Sequence, residues 1–516
     1  MTERSEVSNA FDPAKGCQRI STGTFGALLI LGISLSYAVY QSQEVPSGGP
    51  KVVGAMSTWI SPLKFINRDY FDLLMILAIG FQYMVTWEFL RRKREQVLIA
   101  LTALVGVWTT WQIASGAEWF FPSTSARFLG WQWTRMEVAF LLFSAMGVLL
   151  FSWPLLLFLI SKFKSNKGRI RWAIKTSFYR WMSGLSLFTA VLFLSYQHPF
   201  YLDAYYINWR FTCAYLYAAF AALGWPYSFV TNLVRHDKFE DRDDPCFVLM
   251  LIHVGIYRSM RASRLGPIRT VFGNRRVQIA LRDLLVKFFF VPLMVIFLYN
   301  NYGDLASSVK KLYGPGRGSS IDIFNTWYFL IFSSLFVVDV GLSLIGYVCS
   351  SRWLGNKSVS VEGTLLGWMV AVMCYPPFTK ITSDYLPYDL IKGNPFQILQ
   401  HDWVSIPLKI LTLIFLGVYV WATMAFGLRF SNLTHRGIIT RGPYALVRHP
   451  AYIAKNIAWW TMSIQGFSGP LQFLFLALWN VVYYVRAVTE ERHLGQDQDY
   501  RAYCRHVKYK FIPGVW

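Results

Sequence analysis

The chain reads as an all-α, polytopic integral membrane protein. Three observations carry that reading. Hydrophobic residues make up 54% of the 516 positions and charged residues only 15%, against about 25% charged in an ordinary soluble domain. Mean hydropathy is +0.35. Apolar runs approaching the roughly 20 residues needed to cross hydrocarbon recur along the whole length. These features exclude a disordered chain and weigh against a soluble enzyme.

The apolar runs lie at 23–40, 70–90, 97–115, 138–160, 181–196, 211–230, 284–299, 327–348, 364–378, 404–428, 451–467 and 471–484. They predict about twelve transmembrane helices. The runs at 364–378 and 451–467 are short, as expected of tilted, re-entrant or hairpin segments. Lys and Arg should favour cytosolic loops. With the N-terminus inside, the basic stretches at 91–94, 162–180, 235–287 and 429–448, and the tail from Arg486, all fall on the cytosolic side. An even number of spans with both termini cytosolic follows. The net charge of +22 then reports orientation, and a bacterial inner membrane or an endoplasmic-reticulum membrane satisfies it equally.

The largest cytosolic segment, 235–287, opens acidic (Asp237 to Asp244) and turns basic. Arg258, Arg261 and Arg264 follow an apolar stretch. They fit either an interfacial helix over anionic lipid headgroups or a solvated face on a loop helix. Gly314-Pro315-Gly316 marks a turn. The basic stretches alternate with spans, so no nucleic-acid partner is expected. Six scattered cysteines without a CxxC pair, and His198, His253, His401 and His435 without ligand spacing, point to free thiols and no metal site.

The most informative stretch is C-terminal. Phe426-Gly427-Leu428-Arg429-Phe430 precedes Arg436-Gly437, Gly442-Pro443-Tyr444 and Arg448-His449-Pro450-Ala451-Tyr452; Glu490-Glu491 and a tail with Tyr500, Tyr503 and Val507 follow a helical hairpin. The Gly and Pro pairs break regular structure between two membrane helices. Pro450 suits a helix start, where its missing N–H is not needed. Cationic side chains at a helix N-terminus favour an anionic group, and the two glutamates return to the same membrane depth. Such a corner suits a ligand with both a negative and a positive end. A topogenic basic loop with interfacial ion pairs is the structural alternative.

This ordered set resembles the isoprenylcysteine carboxyl methyltransferase family, which overlaps with membrane phospholipid methyltransferases. The clearest resemblance spans 427–516. It implies a C-terminal helical methyltransferase-like domain, 321–516, behind a multi-span membrane region, 1–320, of unassigned role. It also implies an S-adenosylmethionine-dependent methyltransferase acting on a lipid or lipidated acceptor at the cytosolic face. Carried over by motif, Tyr444, Arg448, His449, Pro450, Tyr452, Glu490 and Glu491 would line the cofactor pocket. Arg448 would pair with the cofactor carboxylate, and Glu490 would serve as base for an amine or hydroxyl acceptor. A carboxylate acceptor needs no base.

Two alternatives stand beside this reading. Tyr500, Tyr503, Cys504, Val507, Tyr509 and Ile512-Pro513 are similar to the tail of NADPH-dependent sterol reductases, which would make NADPH the cofactor. Adjacent glutamates would repel a 2′-phosphate, which favours the methyltransferase. The other alternative is a lipid-binding or transport protein with a degenerate methyltransferase domain. Two further residues are candidate substrate contacts. Asp339 lies mid-span, where a carboxylate is costly unless it is used or paired, for instance with Lys409. Lys455 stands one helical turn beyond Tyr452 and would contact an anionic lipid or the cofactor carboxylate, or snorkel to the surface.

Overall fold

The computed structural model describes residues 21–43, 68–90, 93–116, 125–128, 131–165, 170–197, 207–234, 245–313, 319–348, 350, 355–387 and 395–515. The acidic opening at 237–244 and the 314–316 turn lie outside these residues. The described chain is almost wholly helical: α1 (Thr22–Gln43), α2 (Arg68–Phe89), α3 (Lys93–Ala114), a hairpin of β1 (Ser125–Phe128) and β2 (Trp131–Thr134), α4 (Arg135–Ser165), α5 (Ile170–Gln197), α6 (Ile207–Val234), α7 (Pro245–Arg261), α8 (Gly266–Phe272), α9 (Arg275–Tyr313), α10 (Ser320–Val348), β3 (Ser360–Val361), α11 (Leu365–Val372), α12 (Phe378–Tyr385), α13 (Gln397–Gln400), α14 (Asp402–Phe426), β4 (Thr434–His435), α15 (Pro450–Ser463), α16 (Pro470–Leu494) and α17 (Gln498–His506). Among the described residues, six helices are long and apolar enough to cross a membrane: 22–42, 71–89, 94–114, 320–348, 402–429 and 470–494.

The chain forms two compact units, one of residues 148–296 and one of 1–147 with 297–516. In the first, α5 packs on α6 and α7. Gly184 lets the Phe220 ring approach the α5 backbone, because a Cβ there would lie 2.5 Å from the ring. Trp181 Nε1 donates to the Phe220 carbonyl at 3.1 Å, and buried Arg180 donates to Asn232 Oδ1 at 2.5 Å. Arg258, Arg261 and Arg264 are all exposed, at the end of α7 and in the turn after it.

In the other unit, α1 packs against α2, α3, α10 and α14, with Ile33 and Ala38 fully buried. Gly23 sits so close to the Met424 carbonyl that any Cβ would clash with it. Small residues allow this approach where lipid gives no hydrophobic drive for helix association. Helices α10 and α14 run parallel in register: Lys409 Nζ donates to Asn325 Oδ1 at 2.8 Å, and fourteen residues further along both helices Thr423 Oγ1 donates to Asp339 Oδ1 at 2.6 Å.

The 364–378 run is broken into two short helices. Helix α11 has 8 residues and so spans only about 12 Å. Pro376 and Pro377 stop it, since proline cannot continue the ladder, and α12 resumes the path. The chain enters beside Arg492, where the Arg492 guanidinium lies 3.5 Å from Glu362. It leaves where the Phe396 N–H meets the Phe467 carbonyl at 3.0 Å. The residues of the break, 373–377, are half-buried. The 451–467 run forms the 14-residue α15, one arm of a hairpin with α16.

Candidate functional site

The C-terminal ends of α14 and α16 and the N-terminal end of α15 come together around one cleft. Its non-atom space, open solvent included, is about 940 Å³. Between α14 and α15 the backbone turns repeatedly, with Gly437 at φ +102° and Gly442 at φ +62°, a region that side chains rarely adopt. A second wall comes from outside the C-terminal hairpin: β3 pairs antiparallel with β4, Ser360 facing His435 and Val361 facing Thr434. Arg436 anchors this loop by donating to the Gly346 carbonyl at 2.5 Å, where Gly346 admits the Phe430 backbone too closely for a Cβ.

Five of the seven cofactor-pocket residues carried over by motif line the cleft: Tyr444, Arg448, His449, Tyr452 and Glu490. The Tyr452 hydroxyl donates to Glu490 Oε2 at 2.7 Å, and its ring stacks on His449 at 5.5 Å. Arg486 is buried with its guanidinium over the Tyr452 ring (5.4 Å) and the Tyr375 ring (5.8 Å). It donates to Asn432 Oδ1 at 2.7 Å. Buried Tyr444 is held by the Tyr503 hydroxyl, which donates to its carbonyl at 2.7 Å.

Pro450 and Glu491 are not among the lining residues. Pro450 is the buried first residue of α15. Glu491 is one residue on from Glu490 and therefore about 100° around the helix, so the pair cannot share a direction. Its carboxylate instead gathers two cations and an imidazole: Lys510 Nζ at 2.8 Å, Arg448 Nη1 at 3.2 Å and His449 Nε2 at 3.2 Å. The tail is also zipped to this corner by backbone, with the Arg448 N–H on the Tyr509 carbonyl (3.0 Å) and the His449 N–H on the Lys510 carbonyl (2.9 Å).

Asp339 and Lys455 lie outside the cleft lining and meet through Tyr419. The Tyr419 hydroxyl donates to Asp339 Oδ2 at 3.0 Å. The Lys455 ammonium sits over the rings of Trp459, Tyr419 and Tyr483 at 4.7, 5.6 and 5.7 Å. The expected Asp339–Lys409 pairing does not form. Fourteen residues of helix, about 21 Å, separate their levels, and Lys409 bonds Asn325 instead.

Sequence reasoning missed Glu362 and Thr434 as cleft residues, and saw His435 only as a histidine without ligand spacing. All three line the cleft. The alternation Ser358-Val359-Ser360-Val361-Glu362 is a period-two strand signal that would have placed Glu362 on a wall. Burial holds the His435 imidazole below its ordinary value, against the pull of Asp497. Among the described residues, Thr434 Oγ1, His435 Nε2 and Arg448 Nε, on residues that line the cleft, are buried without a hydrogen-bond partner. Buried polar groups are nearly always satisfied, so these atoms have hydrogen-bonding capacity left over.

Residues 403–498 match the model of the phospholipid methyltransferase family. No curated protein and no solved structure matches the chain. The matched segment contains all seven residues proposed from the motif for the cofactor pocket, together with α14, α15 and α16. It ends before the tail on which the sterol-reductase likeness rests. Asp339 and Glu362 lie outside it.

Proposed function

We propose that the protein is a membrane methyltransferase that binds S-adenosylmethionine in the C-terminal cleft and methylates a lipid or lipidated acceptor at the cytosolic face. The observation that carries this reading is the coincidence of the family-matched segment with a cleft holding orphaned buried polar atoms. The donor set also suits the cofactor. Arg448 supplies a cation for the carboxylate end, and Glu490 supplies an acceptor for the ammonium or ribose hydroxyls. His449 and Tyr452 supply stacked rings for the nucleoside. Placement at the ends of two candidate spans, α14 and α16, gives an acceptor with a buried apolar tail access to a polar reacting centre.

When bound, the cofactor supplies an electrophilic sulfonium methyl group. The residues then have to align and shield. The acceptor oxygen or nitrogen would receive that methyl group, the bond to sulfur being the one broken, with a neutral thioether released. In-line positioning and exclusion of water carry most of the rate. For an amine or hydroxyl acceptor, Glu490, oriented by Tyr452, takes the released proton. Glu491 acts at one remove: its contacts with Lys510, Arg448 and His449 fix the tail against the Arg448–His449 corner. Transfer of label from S-adenosylmethionine into extracted membrane lipid by the purified full chain tests the proposal. Loss of transfer in Glu490→Gln and His449→Ala is expected. Tight NADPH binding without S-adenosylmethionine binding would overturn it in favour of a reductase.

A further inference from the structure

Glu362 is buried, at 4% exposure, and lies outside the family-matched segment, yet it forms part of the cleft wall. One of its oxygens is fully engaged. Oε1 accepts from the Thr364 N–H at 2.8 Å and the Thr364 hydroxyl at 2.7 Å, and Arg492 stands 3.5 Å away. These contacts fix the side chain, and Gly367 makes room for it, since a Cβ there would lie 2.5 Å from Glu362 Cγ. Oε2 has no hydrogen-bond partner among the described residues. The β3–β4 ladder, extended by the Glu362 N–H on the Leu433 carbonyl at 2.8 Å, sets this oxygen's residue beside Thr434 and His435, whose Oγ1 and Nε2 are orphaned.

We infer that this ladder wall is a second ligand-binding surface of the cleft, on which Glu362 accepts hydrogen bonds from the ribose hydroxyls of the bound nucleoside, with Thr434 and His435 completing the polar contacts. The inference rests on the cofactor reading above. A carboxylate with one oxygen pinned and the other open is preorganised to take a hydroxyl donor, and hydrogen bonds to a charged acceptor are the strong ones. It also divides the labour of the two open carboxylates. Glu362 takes the sugar, which leaves Glu490, bonded to Tyr452, for the amino-acid end and the reacting centre.

The test is calorimetric binding of S-adenosylhomocysteine and three analogues (2′-deoxy, 3′-deoxy and des-amino) to the detergent-solubilised full chain, its Glu362→Gln variant and the shorter Glu362→Asp. The parent ligand should bind the natural protein at least about tenfold more tightly than one of the deoxy analogues. That preference should collapse to within about twofold in Glu362→Gln and Glu362→Asp, while the preference over the des-amino analogue stays. Unchanged deoxy discrimination in a variant that melts with the natural protein would overturn the assignment. So would a collapse seen for the des-amino analogue instead. If the natural protein binds none of the four ligands, the cofactor reading itself fails, and this inference with it.

Discussion

The cleft and the Asp339 cluster are both built from polar side chains buried between helices of one compact unit, but their hydrogen bonds close differently. At Asp339 both carboxylate oxygens are met by hydroxyls of α14, from Thr423 and Tyr419, and the neighbouring Lys455 is enclosed by three aromatic rings. In the cleft, Glu490 has one oxygen bonded to Tyr452, Glu362 has one oxygen pinned by Thr364, and buried atoms of Thr434, His435 and Arg448 have no partner among the described residues. A polar group in a membrane protein is costly. The cluster offsets that cost internally, whereas in the cleft part of it stands open for the proposed ligand to offset.

The sharpest way to break this contrast is to exchange the two carboxylates' fates. Glu490→Gln should weaken S-adenosylmethionine binding by about 10–100-fold, the worth of a hydrogen bond to a charged group, with little change in melting temperature. Asp339→Leu should do the reverse. It strands two buried hydroxyls, costs about 1–3 kcal/mol of stability, and leaves binding within twofold. Equal effects of both variants on binding would dissolve the distinction.

Smaller effects sharpen it. Lys510→Ala removes one of two cations from Glu491, at a half-buried site (29% side-chain exposure). A loss of about 0–1 kcal/mol is expected, read as faster limited proteolysis after Val507. The weakest effect is on pH. His435 has a folded pKa below its ordinary value because it is buried, so the unfolded chain binds the proton more readily. The stability contributed by neutral His435 is full above about pH 6.5 and is lost as the pH falls from there through the lower folded value. His435→Gln should flatten melting temperature against pH in that window.

Much of this was legible in the sequence, because helix periodicity and apolar length are local. The runs at 23–40, 327–348 and 404–428 fall on α1, α10 and α14. The Arg448-His449-Pro450 corner and the Glu490–Glu491 return meet as the motif order implies. What escaped was angular or long-range. Adjacent glutamates read as one unit, but 100° of helix sends Glu490 to the cleft and Glu491 to the tail. Asp339 and Lys409 looked like a pair by charge, but the parallel register of α10 and α14 sets them about 21 Å apart. Glu362 joins the site through a two-residue ladder to a strand more than 70 positions later, a pairing no local pattern specifies.

The central claim, that the C-terminal cleft holds S-adenosylmethionine, is tested most directly by isothermal titration of that cofactor into the purified full chain, natural and Glu490→Gln. The account predicts saturable one-to-one binding by the natural protein and at least about tenfold weaker binding by the variant. Undiminished binding by the variant, or no binding by the natural protein alongside tight binding of NADPH, would contradict it.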